Sequence, residues 1–186
     1  TVGNGTEGDF RAENVHHDQY ARAEFDGIRR GSRLGHIVLG VAGDHNVSNA
    51  RAAIAACLEL EVPFEKIAEG LKHFTGTNRR FEKKGEIGGV TIIDDYAHHP
   101  SEIRATLTAA RNYPHRKIWC VFQPHTYTRT KAFMDEFAQA LSLADEVILA
   151  DIYAAREMDT LGVSSRELAE QIEKLGTKAT HLPSFD

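Results

Sequence analysis

Lys117-Ile118-Trp119-Cys120-Val121-Phe122, then the segment Lys131 to Leu143, then Glu146-Val147-Ile148-Leu149-Ala150, together decide the fold. The two outer pieces are continuous apolar runs of strand length. The middle piece carries Phe133, Phe137 and Leu141 at four-residue steps, the spacing of one helix face. Continuous apolar strands separated by helices of about ten to fifteen residues are the mark of βαβ units and a parallel sheet.

The pattern extends in both directions. Downstream, Ser164-Ser165-Arg166-Glu167 is a capping-box start to a helix that Gly176 closes, and Lys178 to Leu182 is the next strand. Upstream, Pro100 to Arg111 forms a helix with Ile103, Leu107 and Ala110 on its apolar face. Arg80 to Lys83 and Val90 to Asp94 are two strands joined by a loop over Gly85 to Gly89. Before Thr75 to Asn78, a candidate linker, the character differs. Asn46 to Leu60 is helical, with Asn46 or Ser48 as its cap, and Pro63 opens a second helix with Phe64, Ile67, Leu71 and Phe74 on one stripe, ended by Gly76. Tyr20 to Phe25 and His36 to Val41 are strands of antiparallel hairpins, with Gly27, Gly31 and Gly35 as turn signals. The expectation is an α/β chain in two parts, residues 1–77 and 78–186.

Bulk properties narrow the function. The 186 residues include 22 basic and 27 acidic side chains, a net charge of −5, which argues against a nucleic-acid or membrane-surface partner. No apolar run approaches the ~20 residues that span a bilayer, and no secretory signal pattern is present. Cys57 and Cys120 lie inside apolar segments and read as free buried thiols of a reducing cytosol, with a single disulfide as the alternative. Thr1 to Gly8 give no clear start, and Leu182 to Asp186 stop just after a strand, so the chain reads as cut at both ends.

Ligands of an open parallel sheet gather beyond the carboxyl ends of its strands. Three such ends are legible: Asp94-Asp95-Tyr96-Ala97-His98-His99-Pro100, Gln123-Pro124-His125-Thr126-Tyr127-Thr128-Arg129, and Asp151-Ile152-Tyr153-Ala154-Ala155-Arg156-Glu157. All three are dense in titratable and hydrogen-bonding side chains, more than turns require. Each piece also has a plainer alternative. Asp94 can cap the following helix, His99 can be merely the residue before one, Arg156-Glu157 can be a solvated pair, and Tyr127 and Tyr153 can be packing residues. His98 and His99 cannot both face one point from a regular strand. The loop Gly43-Asp44-His45-Asn46-Val47-Ser48-Asn49 is either a capped helix start or a purine site. In the latter, the Asn49 carboxamide pairs with the base edge and His45 stacks on its face. Arg79-Arg80-Phe81-Glu82 is either a charged edge strand or a source of a phosphate-binding guanidinium. No Gly-x-x-x-x-Gly-Lys-Thr/Ser loop occurs in the chain.

Four segments in order, Asp44 to Ala50, Arg79 to Glu82, Asp94 to Pro100 and Phe122 to Thr130, resemble the Mur ligase family. The Asp94-Asp95-Tyr96-Ala97-His98-His99-Pro100 and Phe122-Gln123-Pro124-His125 runs separate one member from its sisters. The resemblance implies the tail of a central ATP-binding domain over residues 1–77 and a Rossmann-like C-terminal domain, incomplete at its end, over 78–186. It implies ATP-dependent joining of L-alanine to UDP-N-acetylmuramate through an acyl phosphate, a cytoplasmic step of peptidoglycan synthesis. Domain closure would exclude water from that intermediate. ATP and Mg2+ are the implied cofactors, with the P-loop and magnesium ligands outside this chain, so the chain alone is expected to be inactive.

By the same resemblance, His45, Asn46, Asn49, Arg80 and Asp95 bind ATP. Tyr96, His98, His99, His125 and Arg129 bind substrates, and His99 is the one candidate for a catalytic role. Some members carry arginine where Thr126 stands, which rests the carboxylate clamp on Arg129 and His125. Two readings compete: a metal-dependent hydrolase using Asp95, His98 or His99, and His125, and a non-catalytic nucleotide-binding module.

Overall fold

Ala23 and Phe25 alternate with Arg22 and Glu24 along one strand, and Ile37 and Leu39 alternate with His36 and Val38 along the next. This period of two buries one face of an antiparallel sheet. The computed structural model describes residues 8–183, and the abrupt ends noted in the sequence lie largely outside that range. The sheet has three strands in sequence order: β1 (Phe10–His17), β2 (Arg22–Arg29) and β3 (Ser32–Ala42). Sequence patterning missed β1 because all but its first few residues are exposed and, Val15 apart, polar. Gly27 and Gly35 do not make turns. They pair with each other across β2 and β3, and only Gly31, beside Arg30, lies in the hairpin turn.

Helix α1 (Asp44–Glu59) buries Val47, Ala50, Arg51 and Ile54, and α2 (Phe64–His73) adds Ile67. These residues close a core over Phe10, Ala23, Phe25, Ile37 and Leu39. Neither expected cap of α1 is used: the helix starts earlier, at Asp44, with Gly43 in the cap position and no side-chain cap. The Asn46 carboxamide instead donates back to the Ala42 carbonyl at 2.8 Å. Helix α2 stops at His73 because Phe74 is extended, so Gly76 lies beyond its end. The tightest approach in this region is at Gly40 of β3, where a Cβ would stand 2.4 Å from the Phe74 carbonyl oxygen and 2.7 Å from that of Lys72. Only glycine lets backbone pass so close to backbone.

Strands β4 (Glu82–Ile87) and β5 (Val90–Asp94) form an antiparallel hairpin. Its turn is only Gly88-Gly89, both at positive φ, the geometry that suits a two-residue hairpin. Gly85 sits within β4 at a shift in register. This hairpin corrects the sequence reading in one respect: β5 is not a strand of the parallel sheet.

The chain divides into two compact units, one running to Asp95 and including Asn112–Pro114, the other comprising Tyr96–Arg111 and the chain from His115. Within the first unit, the Tyr113 ring lies 5.5 Å from that of Tyr20 and 6.1 Å from that of Phe81. The second unit carries α3 (Pro100–Asn112, its last residue belonging to the first unit), β6 (Trp119–Phe122), α4 (Tyr127–Ala132), α5 (Met134–Leu141), β7 (Glu146–Leu149), α6 (Ser165–Lys174) and β8 (Lys178–His181). Strands β6, β7 and β8 are parallel and adjacent in that order, as the alternation of strands and helices predicts. Phe122, Phe137, Leu141, Val147, Leu149, Leu168 and Ile172 form the core. The expected single helix over Lys131–Leu143 is broken at Phe133, whose backbone leaves the helical region. The capping box at Ser164 and Glu167 forms as read.

Glu146 opens β7, its side chain only 11% exposed, between Lys117 and Lys178, which donate to its two oxygens. Those lysines hold its carboxyl below the ordinary value of 4.5. Cys57 and Cys120 are free thiols. Burial pushes the Cys120 thiol up to about 12, which leaves it unreactive. Among the described residues, no helix is long and apolar enough to cross a membrane.

Candidate functional site

In the first unit, the start of α1 and the link into β4 carry the nucleotide candidates. His45 stands exposed in the first turn of α1. Even so, partial desolvation of its ring holds the imidazole below its ordinary value. The Asp95 and Asp44 carboxylates pull the other way, and the Arg80 guanidinium adds to the lowering. The fold therefore brings Arg80 and Asp95, far from it in sequence, within electrostatic reach of His45. Asn46 and Asn49 join them on the helix: Asn49 Nδ2 donates to Asn46 Oδ1 at 3.0 Å, while Asn46 Nδ2 is spent on Ala42. Asn49 keeps its second N–H and its Oδ1 for another partner.

Arg80 sits between two residues in left-handed backbone, Arg79 at φ 58° and Phe81 at φ 48°. Such conformations are costly for side chains of this size. Carboxylates hold the turn. Phe81 N–H donates to Asp95 Oδ2 at 2.8 Å, and Arg79 N–H donates to Glu82 Oε2 at 2.7 Å. The Arg79 guanidinium also lies 3.7 Å from Asp94.

In the second unit, His99 and Glu102 cap the start of α3. His99 Nδ1 accepts from Ser101 N–H at 3.3 Å, and Glu102 Oε2 accepts from the amides of His98 and His99 at 3.0 and 3.2 Å. The His99 ring packs edge-on against Phe133 with centroids 4.8 Å apart. The His98 ring lies 5.4 Å from that of Tyr96, and its Nδ1–H donates to the Tyr96 carbonyl at 3.0 Å. The two histidines thus face different neighbours.

The loops after β6 and β7 are bound to each other. His125 bridges to Tyr153 in parallel register, Thr126 N–H donates to the Tyr153 carbonyl at 2.9 Å, and Tyr153 N–H donates to the Pro124 carbonyl at 2.8 Å. The rings of His125 and Tyr153 lie 5.5 Å apart. His125 Nδ1 is buried without a hydrogen-bond partner among the described residues. Such an orphan is a polar atom for which a bound group could provide. Arg129 lies in the first turn of α4, half-buried. Glu157, which read as half of a solvated pair, instead accepts from both the amide and the hydroxyl of Thr128. No sequence signal announces this, since the two residues belong to different loops.

Among the described residues, no group of three or more His, Cys, Asp or Glu side chains is placed to hold a metal ion.

Comparison with known proteins gives a consistent picture. The family described as Mur ligase, glutamate ligase domain, matches residues 79–186. A UDP-N-acetylmuramate–L-alanine ligase of Agathobacter rectalis is 53% identical over all of this chain and 40% of its own length. That of Lachnospira eligens is 54% identical over 95% of this chain and 39% of its own. Among solved structures, a UDP-N-acetylmuramate–alanine ligase of Thermotoga maritima is 30% identical, with a TM-score of 0.81 over 97% of this chain and 38% of that one. MurF of Acinetobacter baumannii, at 21% identity and a TM-score of 0.72, shares the fold. This chain spans about two fifths of the length of the curated relatives it matches.

Proposed function

This chain belongs to the Mur ligase family, and from that membership we propose that it is part of a UDP-N-acetylmuramate–L-alanine ligase of the cytoplasm, acting in peptidoglycan synthesis. The observation that carries the reading is the 53% identity, over all of this chain, to a UDP-N-acetylmuramate–L-alanine ligase, with His45, Arg80 and Asp95 in one unit. In this reading residues 1–77 close a central ATP-binding domain and 78–186 belong to the C-terminal domain. The start of the family match at residue 79 supports that division.

ATP, when bound, supplies the phosphoryl group that turns the muramate carboxylate into an electrophile, with Mg2+ held by residues outside this chain. The residues present suit the nucleotide. His45, biased toward its neutral form, offers a flat aromatic face to the purine. Asn49 has a donor and an acceptor left for the base edge. Arg80 offers a planar donor fork to phosphate or ribose oxygens, and Asp95 fixes the turn that presents it. In the second unit, Arg129 and the imidazole of His125 receive the L-alanine carboxylate, flanked by Tyr96, His98 and His99. Their work is to orient reactants and stabilise charge.

The test is L-alanine-dependent release of ADP from ATP and UDP-N-acetylmuramate by the intact protein that contains this chain. Arg80→Ala should raise its KM for ATP about 10- to 100-fold, the worth of one charge-assisted hydrogen bond. This chain alone, without a P-loop, should release no ADP. Alanine-dependent ADP release by it, or none by the intact protein, contradicts the proposal.

A further inference from the structure

The second unit contains a strained turn held by a residue from another loop. Thr126 has φ 69° and ψ 142°. That is a costly backbone for a β-branched residue, and such strain persists only where the surroundings over-determine it. Helix α4, which begins at the next residue, has no side-chain cap of its own. Four contacts hold the turn. Thr126 N–H donates to the Tyr153 carbonyl at 2.9 Å, and Thr130 Oγ1 donates back to the Thr126 carbonyl at 2.7 Å. The other two are made by Glu157: its Oε2 accepts from Thr128 N–H at 2.9 Å, and its Oε1 accepts from Thr128 Oγ1. Glu157 thereby supplies α4 with a cap from the β7 loop. Ala155, two residues earlier, also lies at positive φ, so both connected loops are locally strained.

We propose that Glu157 is a positioning residue, a clasp that keeps the Thr126 turn in its strained form and so holds His125 and Arg129, on either side of that turn, in register for an α-amino-acid carboxylate. The part that concerns the substrate rests on the ligase reading; the clasp itself does not. Glu157 is a carboxylate and so cannot be the anion's own ligand. It acts by accepting from backbone and hydroxyl on the far side of the turn. Accepting those bonds also holds the Glu157 carboxyl below its usual range, so the clasp stays ionised at neutral pH.

Two measurements test it. Amide hydrogen exchange on this chain should show Thr128 N–H protected, with exchange about tenfold or more faster in Glu157→Ala and intermediate in Glu157→Gln, which keeps an accepting oxygen but loses the charge. In the intact enzyme, Glu157→Ala should raise the KM for L-alanine about tenfold or more while leaving the KM for ATP within about twofold. Glu157→Gln serves as the reference if the alanine variant does not fold. Unchanged Thr128 exchange in both variants overturns the clasp. Faster exchange with an unchanged KM for L-alanine overturns its role toward the substrate, as do equal rises in both KM values. Failure of the wild-type intact protein to use L-alanine sinks the ligase reading, and the exchange data still decide the clasp.

Discussion

Asp95 does two things at once. Its Oδ2 accepts from the Phe81 amide, and its charge reaches His45. The first role predicts a stability effect independent of any ligand. Asp95→Ala leaves a part-buried N–H unsatisfied beside a left-handed Phe81, at a cost of about 1–3 kcal/mol, read as a lowered urea midpoint. Asp95→Asn keeps an accepting oxygen and should recover most of that loss. In the intact enzyme it should still show weakened ATP use, because the charge is gone. Equal destabilisation by the two variants would show that the turn depends on the charge and not on the hydrogen bond. At this scale the sequence offered candidate residues and was uninformative about their partners. The motif letters pointed to Arg80, Asp95, His125 and Arg129. That Asp95 bonds Phe81, that His99 caps α3 and that Glu157 bonds Thr128 depends on loops meeting in space.

At the scale of elements, β6 and β7 were legible because they are largely apolar runs, and the capping box at Ser164 because its two partners are three residues apart. The break at Phe133 was not, since its apolar spacing continues across the break, and β1 was not, since an exposed edge strand has no alternation to read. The loop joining the run before Asp94 to its neighbour was legible, but not that this run stands outside the parallel sheet, because both sheet types accept the same β-branched residues. Glu146 gives this scale its prediction. Its carboxylate sits between lysines that precede β6 and open β8, tying the amino ends of the three strands together. A carboxyl held below its ordinary 4.5 stabilises the fold fully above that value and loses the contribution as pH falls through the lowered one. Glu146→Gln should therefore lower the Tm at pH 7, with the gap to the wild type closing as the pH drops into the acid range. A gap of equal size at acid pH would assign the effect to packing.

For the whole molecule, two separate cores imply two separately addressable stabilities. Phe137 is fully buried in the second core, and Phe137→Ala should cost about 3–5 kcal/mol there. Hydrogen exchange should report the loss in β6, β7 and β8 and leave β1, β2 and β3 as they were. Uniform loss across both would show one cooperative unit. The only tryptophan, Trp119, stands on β6 at 54% exposure with the Lys117 ammonium 5.7 Å from its ring. Any intrinsic-fluorescence titration of this protein excited at the indole band is consequently a recording from one half of it. The emission is that of a wet indole, open to collisional quenchers, and its change on heating marks the melting of the half that carries β6, β7 and β8.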